Sequence, residues 1–208
     1  MGLALVKFYL VIFIIIFLGC NDKKETLIKI DTFLPNGPKN TQYIYDSITR
    51  EHSINEDTFM TTIINKDKSC ITVKDTLKMS DKKTATPLKY KICYLDNTLV
   101  AITNSNEFIK ISHTSSWYSK VFSYYPIPKD RSFVQECKLI KQGKEIFFTN
   151  LTDILEIKCT YINEVKTNIT HIYKYASHIG MVEKIELANG VEVLHLKLNR
   201  IKTKSLEL

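Results

Sequence analysis

The sequence predicts a mostly-β protein: a curved antiparallel sheet, a half-barrel or open barrel, that ends in a β-hairpin and holds little helix beyond its N-terminal segment. Three observations carry the prediction. From Thr41 onward apolar residues recur with a period of two, not 3.6. The alternating runs are rich in β-branched and aromatic residues, which suit a pleated, half-buried surface. Finally, Asn189-Gly190 stands between two alternating runs, the short-range signal of a two-residue hairpin whose turn needs positive φ twice.

Taken in order, the chain opens differently. Lys7 precedes an uninterrupted apolar run, Phe8–Leu18, which ends at Gly19-Cys20 before the polar Asn21-Asp22-Lys23-Lys24-Glu25. A charge, a short apolar run and a small residue before a polar break form the layout of a secretory signal. The alternative is an uncleaved N-terminal membrane helix, since Leu3–Gly19 reaches the short end of the roughly 17–25 residues that span a bilayer. Both readings place the rest of the chain beyond the cytoplasmic membrane. The next residues begin as a charged tether and end at Pro35-Asn36-Gly37-Pro38, a turn cluster. Within them Leu27, Ile28, Ile30, Phe33 and Leu34 are apolar enough for a first strand laid on the domain edge. Thr41–Arg50 is the best helix candidate.

Strand patterns dominate from there. Ile71, Val73 and Leu77 alternate with polar neighbours, as do Tyr90, Ile92 and Tyr94, before Asp96-Asn97 supplies a turn and Leu99–Thr103 returns. Phe108–Ser112 and Val121–Tyr125 follow, with Trp117 between them. Phe133–Ile140 alternates into Gln142-Gly143, then come Ile146–Phe148, Ile154–Ile162 and Ile169–Tyr175. In the last hairpin a two-residue loop pairs Ala188 with Val191 and Ile185 with Leu194. One face then carries Met181, Ile185, Leu187, Leu194, Leu196 and Leu198, marred by Glu183 and Glu192, and the other Lys184, Glu186, His195 and Lys197 beside Val182, Val191 and Val193. One covered and one solvated face is the expected pattern of an antiparallel sheet.

Charge and cysteine usage bound the partners. The net charge is +7, but the basic residues are almost all lysine, with only Arg50, Arg131 and Arg200, and lysine alternates with Asp and Glu throughout. A nucleic-acid reader clusters Arg with Lys on one face, so nucleic acid is not an expected partner. Besides Cys20 there are Cys70, Cys93, Cys137 and Cys159, none in a CxxC or a Cys/His cluster, which speaks against zinc. An exported chain permits disulfides among them. Their wide spacing leans the expectation towards four buried thiols.

The Gly19-Cys20 junction resembles the lipobox of bacterial lipoproteins, although Phe17 and Leu18 stand where that family usually has Leu and a small residue. The resemblance implies acylation of Cys20, cleavage before it, and a mature chain beginning there. The division is then a signal peptide at 1–19, a lipidated cysteine and tether at 20–40, and one β domain at 41–208. Acyl chains, at about 0.8 kcal/mol per buried methylene, hold such a protein on a cell or outer membrane, facing periplasm or exterior. A second resemblance covers roughly the last quarter of the chain. Leu155–Cys159, Tyr173-Lys174-Tyr175-Ala176, Ile179-Gly180-Met181-Val182-Glu183-Lys184 and Asn189-Gly190 are similar to the closing segment of small exported bacterial β-proteins, whose outline is like that of the lipoprotein carriers. It implies a curved sheet and no particular functional residues.

Few residue patterns in the chain carry catalytic chemistry. The chain has no GxSxG, HExxH, P-loop or dinucleotide glycine pattern, and six glycines supply few phosphate or oxyanion cradles. His171 and His178 are separated by a bend at Ser177–Gly180 and need not converge, so neither a metal nor a cofactor is expected. Glu136, Glu145, Glu156 and Glu164 stand in or beside strands, where solvated faces commonly carry them; paired from distant strands, such carboxylates would make an envelope hydrolase. The aromatic group Trp117-Tyr118, Phe122, Tyr124-Tyr125-Pro126 offers flat apolar faces with polar tips, and Trp117, Phe122 and Tyr124 are the candidate ligand-binding residues. Core and edge packing is the competing role for them. The expected function is therefore non-catalytic: a lipid-anchored envelope protein binding an apolar or envelope ligand, or supporting a protein partner at the membrane.

Overall fold

The computed structural model describes residues 29–48, 58–78, 86–103, 106–120, 134–162 and 168–203. These form a short 3-10 turn, Ile30–Phe33, and twelve antiparallel strands, with no α-helix among them. The first six strands are β1 (Gln42–Ser47), β2 (Thr58–Lys66), β3 (Cys70–Lys78), β4 (Leu88–Leu95), β5 (Thr98–Ile102) and β6 (Glu107–Ser112). The second six are β7 (Ser116–Lys120), β8 (Val134–Phe147), β9 (Asn150–Ile162), β10 (Ile169–Ala176), β11 (Gly180–Ala188) and β12 (Val191–Lys202).

The strands make one sheet in the order β6-β5-β4-β3-β2-β1-β12-β11-β10-β9-β8-β7, so the first strand pairs with the last. The sheet curls until its edges, β6 and β7, meet. Among the described residues no ladder joins them; side chains do. Ser119 Oγ accepts from the Ile109 N–H at 3.0 Å, and the Trp117 indole N–H reaches the Ile109 carbonyl at 3.4 Å. The result is a nearly closed barrel, the expected fold carried further round. Closure removes most of the exposed edge that an open sheet presents.

The 3-10 turn corrects the expected first strand. Ile30 and Phe33 are buried in the barrel core, and Thr32 and Asn36 bond to the backbone of His178 in the β10–β11 turn. The segment thus closes one end of the barrel instead of lining an edge. Thr41–Arg50 is not helical either: its described part contains β1, whose Tyr43 and Tyr45 face the core while β2 and β12 take its backbone bonds. Thr58–Lys66, which the sequence reading does not single out, alternates Phe59, Thr61 and Ile63 inward. Gln142-Gly143 lies within β8, and the turn falls at Phe148-Thr149.

Two further corrections concern cysteines and register. The cysteines are not free thiols: Cys70 bonds to Cys93 directly opposite it on β3 and β4, and Cys137 to Cys159 across β8 and β9. Cross-strand neighbours lie at disulfide distance whatever their spacing in sequence. In the last hairpin the turn is as expected, with Asn189 and Gly190 at φ 51° and 82° and Ala188 opposite Val191. A bulge then leaves Val193 unpaired, so Ile185 faces His195, not Leu194, and Glu186 faces Leu194. A slip of one residue exchanges the faces of a strand. Lys184 and Glu186 therefore point into the barrel beside Leu194, Leu196 and Leu198, and Ile185 points out.

Candidate functional site

Past Phe33 and Pro35 the lumen keeps a cavity of about 70 Å³, bordered by Tyr45, Asp75, Tyr90, Lys110, Tyr173 and Lys184 among others. A water needs roughly 10–15 Å³ by this kind of measure, and a 150 Å³ apolar cavity holds one benzene. The space suits a few waters. It is too small for an acyl chain.

Asp75 reaches the lumen by strand alternation, the third inward position after Ile71 and Val73 on β3. Thr61, its cross-strand partner, donates to Oδ1 at 2.6 Å, and the Tyr90 hydroxyl donates to Oδ2 at 2.9 Å. Lys110 arrives by a bulge: β5 pairs Leu99 with Ile111 and Val100 with Ile109, leaving Lys110 as the extra residue, and its Nζ lies 5.6 Å from the Tyr90 ring centre. Burial pushes the Lys110 ammonium down to about 8, against the opposing pull of Asp75. Burial, then Asp75, also raises the Tyr90 and Tyr45 hydroxyls well above the usual tyrosine range. Tyr45 stays a neutral donor, to the Met181 carbonyl at 2.8 Å.

A second polar group lies across β10 and β11. Glu186 Oε2 sits 3.0 Å from His171 Nε2, off the line of a well-directed hydrogen bond, and 3.4 Å from Lys184 Nζ. The Tyr173 hydroxyl is 3.0 Å from His171 Nδ1, within hydrogen-bond distance. The Tyr161 ring meets His171 edge-on at 5.2 Å. Burial lowers His171 below the ordinary histidine range. His171, then Lys184, hold Glu186 down to about 2 despite its partial burial. A carboxylate that ionises so readily is a poor proton donor near neutrality.

On the outside, Glu145 and Glu156 form an ion-pair lattice with two lysines. Lys174 lies 2.5 Å from Glu145 and 3.7 Å from Glu156; Lys141 lies 2.9 Å and 3.4 Å from the same two. Lys174 and Lys141 hold the Glu145 carboxyl below its usual range. Glu136 pairs with Lys138 at 3.0 Å, and Glu164 lies outside the described residues. The Glu145 and Glu156 lattice fastens β8, β9 and β10 to one another, whereas the Glu136–Lys138 pair lies within β8.

The sequence-derived candidates are not brought together around the cavity. Trp117 is 7% exposed and plugs the β6–β7 seam, away from the cavity lining; Phe122, Tyr124 and Cys20 lie outside the described residues. His178 occupies the β10–β11 turn, while His195 points outward to Glu183 at 2.7 Å and Glu192 at 3.5 Å, not towards Lys184. No three metal-ligating side chains cluster among the described residues. Of the lumen residues, Asp75 and Lys110 are not singled out in the sequence, His171 is weighed there only as a metal ligand, and Lys184 and Glu186 are placed on the solvated face. Asp75 was visible as a carboxylate in an apolar alternation; Lys110 and Lys184 were hidden by bulges.

No protein-family model matches the chain, and no curated protein matches it. Among solved structures its fold is similar to that of a Bacteroides fragilis protein described as exported, with a YmcC-like fold: TM-score 0.53 and 9% identity over 81% of this chain and 98% of that one. It is also similar to a Parabacteroides distasonis protein described as a lipoprotein: TM-score 0.51 and 9% identity over 82% and 98% of the two chains. At such identity the likeness is one of fold.

Proposed function

We propose that the chain is an exported, lipid-anchored protein of the bacterial cell envelope, and that its barrel is a non-catalytic module meeting its partner on the outside of the sheet. The observation that carries the second part is the state of the lumen. Its described ionisable groups are engaged with one another around a cavity of about 70 Å³, which is too small for an acyl chain, and Glu186 among them is held ionised. This narrows the expected choice between an apolar ligand and a protein partner in favour of the partner. The first part rests on the Gly19-Cys20 junction. Two disulfides support it, since such bonds persist in oxidising compartments outside the cytoplasm, and so do the descriptions of the two similar structures. The envelope-hydrolase alternative finds its carboxylates Glu145 and Glu156 tied to Lys141 and Lys174.

Lipid extraction of the purified chain, followed by mass spectrometry, tests the reading of the lumen. The expected result is acyl groups covalently attached to the protein and no lipid bound non-covalently in one-to-one ratio. A stoichiometric extractable lipid would restore the carrier reading and overturn this one.

A further inference from the structure

We infer that the end of the β8–β9 hairpin is a bilayer-contacting tip, an inference that rests on the lipid-anchor reading above. The hairpin outruns its neighbours on both sides. β7 pairs with β8 only as far as Lys138, with one further bond to Leu139, and β10 pairs with β9 only as far as Ile154. Beyond that, among the described residues, no further strand pairs with the ribbon, which continues through Lys144 opposite Asp153 and Ile146 opposite Leu151 to the turn at Phe148-Thr149. At its end apolar side chains face outward: Ile146 is 75% exposed, Leu151 67% and Phe148 54%. Isolated exposed apolar residues need no explanation, but three gathered at the end of one projecting ribbon do.

The ribbon is nonetheless held in place. Lys141, Glu145, Lys174 and Glu156 pin one of its faces to β10, and Phe147 packs against the core. Ile146 and Leu151 lie on the opposite face.

Where the chain enters the barrel selects the occupant. His178 N–H donates to the Thr32 carbonyl, and the adjoining Ser177 N–H donates to the Asp153 carbonyl at 2.9 Å. The N-terminal segment and the base of the ribbon therefore meet at the same turn, at the same end of the barrel. Only Asn21–Lys29 separate Cys20 from the 3-10 turn, a contour of about 30 Å if fully extended. The ribbon runs from Asp153 to Phe148, a reach of about 17 Å at the rise of a strand. An acylated Cys20 thus keeps this end of the barrel, and with it the apolar tip, within reach of the bilayer, while the Asn189-Gly190 turn lies at the opposite end of β11. The first surface to meet the membrane is the apolar tip. Lys144, beside the tip, can keep its ammonium among the headgroups while its stem follows the apolar surface.

The test uses the full acylated chain in phosphatidylcholine vesicles, with or without bromine on the lipid acyl chains. Trp117 is buried in the seam and provides an unquenched baseline. Phe148→Trp adds an indole at the tip, and Leu151→Trp provides a second probe should the first disturb the turn. On vesicle-bound protein the added emission should shift to the blue and be quenched by bromolipid, while wild-type emission stays constant. Ile146→Asp in the Phe148→Trp background should reduce that quenching. If both probes remain unquenched on protein that floats with the vesicles, the tip does not touch the bilayer, and its apolar residues point to a protein partner instead. A chain recovered without acyl groups and absent from the floated fraction overturns the anchor reading and this inference with it; flotation separates that failure from a failure of the tip alone.

Discussion

Replacing Asp75 by Asn asks whether the charged lumen is architecture or a site. The carboxylate accepts from Thr61 and Tyr90 and faces the ammonium of Lys110. An amide keeps the shape but loses the charge, and its NH₂ cannot accept. One of the two hydroxyls is then left unsatisfied, at about 1–3 kcal/mol. Lys110 loses its opposing charge inside the barrel, and breaking such a buried arrangement costs about 3–5 kcal/mol. The two effects overlap because Lys110 can shed its proton, so we expect a total loss of about 3–5 kcal/mol. Urea denaturation of wild-type and variant chains in one detergent, with disulfides intact, measures it as a lower midpoint at unchanged slope. Adding Lys110→Met to Asp75→Asn should recover at least ~1 kcal/mol, since the buried ammonium that faced Asp75 is removed. A variant within about 0.5 kcal/mol of wild type would refute the structural role. A more stable variant would go further, because residues retained for function often cost stability.

Other consequences follow from the same geometry. The folded-state pKa of Lys110, about 8, lies below its ordinary 10.5, so between these values the unfolded chain binds more protons and stability rises with pH; chemical denaturation from pH 8 to 9.5 should show this slope, and Lys110→Met should flatten it. Above pH 10 the slope should reverse, because Tyr45 and Tyr90 resist ionising when folded. Gly180→Ala should cost about 1–3 kcal/mol in the same urea assay, since φ there is +89° and an added Cβ would stand 2.6 Å from the Pro35 ring; an unchanged midpoint would mean that Pro35 does not pack there. Replacing both Cys137 and Cys159 by Ala should cost about 2–4 kcal/mol and leave a thiol titration under denaturing conditions unaltered unless reductant is added; free thiols in the wild type would contradict the pairing.

The overall sheet was readable in sequence because alternation is a local property of each strand. The Asn189-Gly190 turn was equally plain, its two positive φ angles being a demand that few residue pairs meet. What escaped was what depends on partners far away in the chain. Tyr43 and Tyr45 make Gln42–Ser47 a strand because β2 and β12 stand ready on either side, a condition invisible within Thr41–Arg50. Ile30 and Phe33 needed the open end of a barrel to fill, which no sequence window contains. The bulges at Lys110, Val182 and Val193 shift register by one residue, turning lysines and a glutamate inward where a strict period of two places them outside. The disulfides were obscured for a similar reason: Cys70 and Cys93 are 23 residues apart but neighbours across one hairpin. Trp117 shows the limit of reading chemistry from composition, since its flat face and polar tip serve to close the barrel.

The anchor at Cys20 is tested most directly by the intact mass of the protein recovered from bacterial membranes, wild type beside Cys20→Ser. The reading predicts a wild-type chain that begins at Cys20 and carries acyl groups, and a Cys20→Ser chain that retains residues 1–19 and carries none. A wild-type chain that begins at Met1 without acylation would contradict it.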